Sequence, residues 1–150
     1  MLLKTHLAFA FLAIILFMSY IDNSIVFVIA LLLGTILPDV DTGFSSIGNK
    51  WYLKPLQFFV KHRGIIHSFT IAIILTILLG FFYPIACFGF FVGYGVHLLC
   101  DSFTSDGIRP FWPLRAKTSG FIRTGGRIEE SIFVFLILIN IITLVLIWII

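Results

Sequence analysis

The sequence predicts an all-α, polytopic membrane protein with about five transmembrane helices. Of its 150 residues, 60% are apolar and only 11% are charged, and the mean hydropathy is +1.13. Soluble proteins average about a quarter charged residues. The apolar residues also gather into runs long enough to cross about 30 Å of hydrocarbon at about 1.5 Å per helical residue. This composition excludes a secreted or cytosolic enzyme.

The apolar runs divide the chain into spans of unequal spacing. The first run follows Lys4 as a signal peptide would, but no small-x-small cleavage site precedes Asp22, so we interpret it as a retained helix. The second run is short for an untilted crossing. Two connections are minimal, whereas 38–65 and 101–130 are long. The predicted spans of this single domain, residues 1–150, are 2–20, 25–37, 66–82, 84–100 and 131–150.

The charges predict the orientation of these spans. With five crossings, the N-terminus and both long loops lie on one side of the membrane and the C-terminus lies on the other. All ten lysines and arginines fall on the side of the long loops, which the positive-inside rule assigns to the cytoplasm. We therefore expect a multi-pass protein of the inner or plasma membrane with its C-terminus outside. Contact with anionic headgroups accounts for the net charge of +3, so we expect membrane lipids and no nucleic acid as partners.

The side chains capable of chemistry gather at the cytoplasmic ends of the spans. Ionisable groups at such a depth are costly unless they are paired or coordinated, so they are candidate site residues. All four histidines map there, namely His6, His62, His67 and His97. The acids at the same ends are Asp39, Asp41, Asp101, Glu129 and Glu130. The sequence therefore predicts a polar pocket at this end of the bundle.

One pair of these residues lies on the fourth span. His97 and Asp101 are four residues apart, so they share a helix face. Gly89 and Gly93 continue the same line and predict the close approach of another helix. Taken alone, this pattern is equally compatible with a packing stripe that ends in a polar cap.

Two further pairs flank the first long loop. Asp39 and Asp41 follow the second span, and in a turn both carboxylates can reach one centre. His62 and His67 lie five residues apart across a glycine. Imidazole is a common zinc ligand, whereas carboxylates also suit harder ions such as manganese. A mixed set of this size is typical of a site for two or more ions.

Taken in order, these motifs resemble the YdjM-like membrane-bound metal-dependent hydrolases, a resemblance that covers nearly the whole chain. The ligand pattern is also distantly similar to that of the helical zinc-dependent phospholipase C and single-strand nuclease group, which implies phosphoester hydrolysis. The matching residues are Thr5-His6, Leu37-Pro38-Asp39-Val40-Asp41, His62-Arg63-Gly64 through His67-Ser68, Gly93 through Asp101, Thr104, Gly107, Trp112-Pro113, Arg123-Thr124-Gly125 and Glu129.

The resemblance implies roles for individual residues. The resemblance implies that the ligands of zinc, or alternatively of manganese, are His6, Asp39, His62, His67, His97 and Asp101. As a hypothesis, Asp41 or Glu129 accepts a proton from the attacking water. Arg63, Arg123 and Arg127 could bind the substrate phosphate through bidentate guanidinium contacts, although positive-inside charge explains them equally well.

The expected function is hydrolysis of a phosphoester in a lipid-like or membrane-associated substrate such as a lipid phosphate. Aromatic and basic segments at 51–59 and 111–115 are typical of the headgroup level and would suit such a substrate. One alternative is a metal- or proton-coupled transporter, although transport sites usually lie near the midplane. The other is a non-catalytic metal-binding membrane subunit. The sequence predicts neither the substrate nor the oligomeric state.

Overall fold

The computed structural model describes the backbone of residues 1–41 and 65–149, and the side chains of residues 1–39 and 65–149. Within these ranges the fold is all-helical, as predicted, apart from two isolated β-bridges in the loop before the last helix. Short 3₁₀ turns follow the first two helices and precede the fourth. The α-helices of the described residues are α1 (Leu3–Phe17), α2 (Ser24–Ile36), α3 (Phe69–Phe82), α4 (Cys87–Ser102) and α5 (Arg127–Ile149).

Three helical segments of the described residues are long and apolar enough to cross a membrane, namely Leu3–Tyr20, Pro84–Ser102 and Arg127–Ile149. Two more apolar helices are shorter, Ser24–Asp39 and Phe69–Phe82. The second span is thus short, as its composition predicts. Because the apolar side chains on the outer face of α5 are exposed in the isolated chain, including Ile142 and Leu146, this helix faces lipid over most of its surface.

The closest helix packing lies between α2 and α4 and depends on glycine. A Cβ atom at Gly93 would lie 2.0 Å from the carbonyl oxygen of Leu31, and one at Gly89 would lie 2.6 Å from that of Phe27. On α2, a Cβ at Gly34 would lie 2.3 Å from the carbonyl oxygen of Phe90. These separations leave no room for a methyl group, so the glycines let the two backbones touch. The predicted role of the glycine line is confirmed.

Helix α4 lies at the centre of the bundle, in contact with α1, α2 and α3, whereas α5 packs on α1. The α1–α5 pair is joined in the apolar region by Asn140, whose Nδ2 donates a hydrogen bond to the carbonyl oxygen of Ala8 (3.0 Å). Asn140 is buried. A polar side chain at this depth is stabilised by an acceptor on the neighbouring helix.

The loop between α4 and α5 folds back over the end of the bundle. Two bridges shape it, a parallel one between Thr104 and Ile122 and an antiparallel one between Ile108 and Thr118. Both isoleucines are buried against the helices. Gly107 has a φ of 62°, a left-handed conformation that favours glycine. The loop therefore covers the end of the bundle where α4 finishes and α5 begins.

Candidate metal centre

Five ionisable side chains meet at one end of the bundle, and we refer to them as the His/Asp cluster. The three histidines are completely buried, and the two aspartates are nearly so. One member lies on α1, one in the 3₁₀ turn after α2, one just before α3 and two on α4. The cluster consists of His6, Asp39, His67, His97 and Asp101.

The side chains of the cluster converge on Asp101. Its Oδ1 lies 3.3 Å from Nε2 of His6, and its Oδ2 lies 3.7 Å from Nε2 of His67 and 3.8 Å from Nε2 of His97. Nε2 of His97 is also 3.8 Å from Oδ1 of Asp39. Five residues from four separate segments of the chain thus direct nitrogen and oxygen atoms into one small volume.

These atoms form two triads with the spacing of metal ligands. In each triad, three ligand atoms lie within 4.8 Å of one another. One triad is His6, Asp39 and His97, and the other is His67, His97 and Asp101. His97 belongs to both, so it is the shared member of the arrangement.

A hydrogen bond to the backbone sets the orientation of His97. Its Nδ1 lies 2.7 Å from the carbonyl oxygen of Thr35. Because a carbonyl only accepts, Nδ1 carries the proton, and in the neutral ring Nε2 then presents a lone pair. Nε2 makes no hydrogen bond within the described part of the chain. Metal-binding histidines are typically oriented in this way, with the second nitrogen donating to a carbonyl or carboxylate.

The Thr35 carbonyl is available because of the way α2 ends. Thr35 lies in the last turn of the helix, where carbonyls lack α-helical partners. Pro38 stands three residues later and has no N–H to donate in a 3₁₀ bond. The hydroxyl of Thr35 donates to the carbonyl oxygen of Leu31 (2.9 Å), within α2. The proline that precedes Asp39 therefore leaves an acceptor for His97.

His67 is positioned by contacts on both sides of it. The hydroxyl of Tyr94 donates to the carbonyl oxygen of Ile66 (2.6 Å), and Ser68 caps α3 by accepting from the N–H of Ile71 (3.3 Å). The N–H of Phe69 donates to the carbonyl oxygen of Pro110 in the covering loop (2.8 Å). These bonds fix the short segment that leads into α3.

Glu129 lies beside the cluster and holds the first turn of α1 against α5. Its Oε1 accepts from the N–H of Leu2 (2.6 Å) and the hydroxyl of Thr5 (2.9 Å), and its Oε2 accepts from the N–H of Gly125 (2.7 Å). The side chain is completely buried. Nearby, the amino group of Met1 contacts Asp101. The acid therefore positions the turn that carries His6.

The other predicted site residues fall into two groups. Arg123 and Arg127 are exposed near the start of α5, at the same end as the cluster. His62, Arg63, the side chain of Asp41 and the segment 51–59 lie outside the described residues.

Three contributors to the site were not predicted. The Thr35 carbonyl belongs to the main chain, and sequence gives no direct signal for it. Tyr94 lies three residues before His97, the spacing of neighbours on one helix face, and this could have indicated it. Thr5 directly precedes His6, and its hydroxyl is the signal, since a threonine in the first turn can anchor the start of a helix to a neighbouring acid.

Comparison with known proteins identifies relatives in bacterial inner membranes. A family model described as "YdjM inner membrane protein" matches residues 1–150. The chain is 37% identical over 93 residues to the inner membrane protein YdjM of Escherichia coli (strain K12), covering 56% of this chain and 47% of that protein. The protein of the same name from Shigella flexneri matches with the same figures. The chain therefore spans about half the length of these relatives.

A more distant relative comes from Bacillus subtilis (strain 168). The uncharacterized protein YvsG is 26% identical over 106 residues, which is 66% of each chain. No solved structure matches this chain significantly.

Proposed function

The chain belongs to the YdjM family of inner membrane proteins, and we propose that it is a membrane-embedded, metal-dependent hydrolase of phosphoesters in lipid-like substrates. The observation that carries the proposal is the arrangement of His97. Its Nδ1 donates to the Thr35 carbonyl, so its Nε2 lone pair is directed toward the carboxylates of Asp39 and Asp101, each 3.8 Å away. This orientation of a buried imidazole toward two carboxylates supports a set of metal ligands.

The donor set fits a divalent metal ion. Two ligand atoms that are each about 2.1 Å from a tetrahedral ion lie about 3.4 Å apart. The nitrogen–oxygen separations in the His/Asp cluster are 3.3 to 3.8 Å. Nε2 of His6 approaches Oδ1 of Asp101 to 3.3 Å, without the geometry of a standard hydrogen bond. The composition and spacing of the cluster therefore support the binding of an ion.

The mixture of imidazole and carboxylate favours zinc, with manganese as the alternative. Because His97 belongs to both triads, we propose that the five described residues hold one ion through that residue. In our proposal, further ions use the remaining cluster atoms together with His62, which keeps the expectation of two or more ions.

A bound divalent ion would supply Lewis-acid polarisation of the phosphoryl group and an activated water at neutral pH. The reaction adds water across a phosphorus–oxygen bond, so that an alcohol leaves and a phosphate with one ester fewer remains. We assign Asp41 as the acceptor of the water proton. We assign Glu129 a positioning role, because its oxygens already accept three hydrogen bonds.

The basic residues at this end of the bundle would bind the phosphate of the substrate. Arg123 and Arg127 are exposed near the start of α5, close to the buried Glu129, and guanidinium groups pair with phosphate in bidentate fashion. Arg63 completes this set in our proposal. The positive-inside rule places the same end at the cytoplasm, so the substrate would enter from the cytoplasmic leaflet.

The test is hydrolysis of chromogenic phosphodiesters by the full chain in detergent micelles, supplied with zinc or manganese. We expect turnover that a chelator abolishes and that zinc restores. His97→Ala and Asp101→Asn should lower kcat at least about a hundredfold, since they remove ligands. Glu130→Gln is the control, because Glu130 is an exposed acid at the same end that pairs with Lys4.

The other possible results separate the alternatives. Metal retained at the cluster without any turnover would favour the non-catalytic membrane subunit. Metal flux across proteoliposomes without turnover would favour the transporter. The position of the cluster at one end of the bundle, rather than at the midplane, supports the hydrolase over the transporter.

A further inference from the structure

A groove of about 600 Å³ runs along the bundle between α2 and α3, with α4 as its floor. Its lining is aliphatic or phenylalanine except for Tyr83. Leu33 and Ile29 line it and are more than half exposed, so the groove is open along its side. Since these helices are apolar and belong to a membrane protein, the medium at that opening is lipid hydrocarbon.

The groove leads toward the His/Asp cluster. Its α2 wall ends at Leu37, two residues before Asp39, a distance of about 4 Å along a 3₁₀ turn. Its floor includes Phe90, which is two helical turns before His97 on α4. Its other wall is the second half of α3, from Leu75 to Phe82, in the helix that begins two residues after His67. The Leu37 edge of the groove therefore lies nearest the cluster, and the opposite edge lies at Tyr83 and Ala86, between α3 and α4.

The length of the groove matches one leaflet of a bilayer. Its α2 wall extends from Val26 to Leu37, which is about 16 Å at 1.5 Å per residue. That is about half of the hydrocarbon thickness of about 30 Å. A hydrocarbon chain of about this length would therefore fit in the groove with its headgroup at the Leu37 end, beside the cluster.

We propose that this groove holds the hydrocarbon chain of the substrate and thereby sets the phosphoester beside the His/Asp cluster. This inference rests on the proposed hydrolase function and names its substrate class as a long-chain lipid phosphoester. Because lipid tails are as apolar as the groove, the groove contributes orientation more than affinity. Correct placement of a reacting group is itself worth a large factor in rate.

The first test does not depend on catalysis. The full chain in lipid nanodiscs is photolabelled with a hexadecyl phosphate that carries a diazirine near the chain end, and the labelled peptides are mapped. We expect the label in residues 26–37 and 75–90. Unlabelled hexadecyl phosphate should reduce this labelling more strongly than hexadecanol does. Leu33→Trp should fill the groove and reduce this labelling severalfold. Ile142→Trp is the matched control, since Ile142 has similar exposure on α5.

The second test separates this inference from the hydrolase proposal. Two diesters with the same chromogenic leaving group are compared, one with a hexadecyl chain and one with a butyl chain. We expect Leu33→Trp to lower kcat for the hexadecyl ester about tenfold or more, as misplacement of a bound substrate does, with the butyl ester unchanged.

The other possible results of these tests distinguish the groove assignment from the hydrolase proposal. If both esters are hydrolysed equally fast and Leu33→Trp does not change either rate, the groove does not bind the substrate chain. The hydrolase proposal would still stand. Turnover of neither ester by metal-loaded protein would overturn the hydrolase and, with it, the substrate role of the groove. Labelling of the groove peptides would then report only a bound membrane lipid.

Discussion

The imidazole rings of His6 and His97 lie parallel, with their centroids 4.0 Å apart and their planes inclined by 7°. Both rings are completely buried, and they join α1 to α4. The ring stack therefore holds α1 against α4 at the end of the bundle where the cluster lies.

Replacing His6 with phenylalanine separates stacking from metal binding. His6→Phe keeps a flat ring against His97 but removes both ring nitrogens, so we expect a folded protein with weakened metal binding. In the wild type, a metal that binds the native state should raise the Tm by mass action. In His6→Phe, the increase in Tm on adding zinc should be much smaller. An increase equal to that of the wild type would show that His6 is not a ligand.

Two glycines of α4 provide a matched pair for the helix packing. Gly93→Ala should destabilise the fold by about 1 to 3 kcal/mol or more, because the new methyl group meets the Leu31 carbonyl at 2.0 Å. At Gly95 the nearest atom to a Cβ is Cε1 of Phe69 at 3.9 Å, an ordinary contact. Gly95→Ala should therefore be neutral or stabilising by about 0.5 to 1 kcal/mol.

Thermal unfolding in detergent measures both variants. Because Gly93 faces the turn before Thr35, we also expect Gly93→Ala to weaken zinc binding, whereas Gly95→Ala should not. Equal Tm values for the two variants would contradict the close α2–α4 packing.

Glu129 and Glu130 test the hydrogen bonds that hold α1 against α5. Glu129→Gln puts an amide donor where a buried carboxylate accepts three hydrogen bonds, so we expect a loss of about 1 to 3 kcal/mol. Glu130→Gln breaks only the exposed pair with Lys4, which is worth about 0 to 1 kcal/mol. The Tm of each variant measures the difference.

Thr5 on α1, whose hydroxyl donates to Glu129, allows a finer test of the same contact. Thr5→Ser keeps the donor to Glu129, whereas Thr5→Val has the same shape without it. We expect Thr5→Val, but not Thr5→Ser, to lower zinc affinity as well as the Tm, because the next residue is His6. Unchanged zinc affinity in Thr5→Val would show that the hydrogen bond between Thr5 and Glu129 stabilises the fold without affecting the metal site.

Tyr94 provides the fourth prediction. Tyr94→Phe removes the hydrogen bond to the Ile66 carbonyl and should cost about 0.5 to 2 kcal/mol. We expect zinc affinity to fall as well, since that bond holds the segment containing His67. The control is Tyr20→Phe, because Tyr20 is 84% exposed at the other end of the bundle. Isothermal titration with zinc measures both variants, and equal affinities would argue against this role of Tyr94.

The helices and the convergence of the cluster could be predicted from the sequence because both follow from the membrane. Hydrocarbon requires apolar runs of helical length, and it confines ionisable groups to helix ends unless they are paired. His6, His97 and Asp101 lie at such ends. The glycine line on α4 is also visible in sequence, since small residues spaced by four face one side of a helix.

The contacts that orient the cluster could not be predicted in the same way. The partner of His97 is the Thr35 carbonyl, and which main-chain acceptor faces a side chain depends on how two helices pack. The same is true of Glu129. The sequence predicts it as a candidate proton acceptor, whereas the structure shows hydrogen bonds that cross from this residue on α5 to α1. Pairings between residues more than a hundred positions apart arise from the tertiary fold.

The most direct measurement is the metal content of the purified full chain by elemental analysis, with variants that share its fold. We predict at least one zinc or manganese ion per chain in the wild type and in Glu130→Gln, and loss of it in His97→Ala and Asp101→Asn. Circular dichroism and gel filtration confirm that each variant is folded and monodisperse. A folded wild-type protein that binds neither ion, even after reconstitution with both metals, would contradict the account.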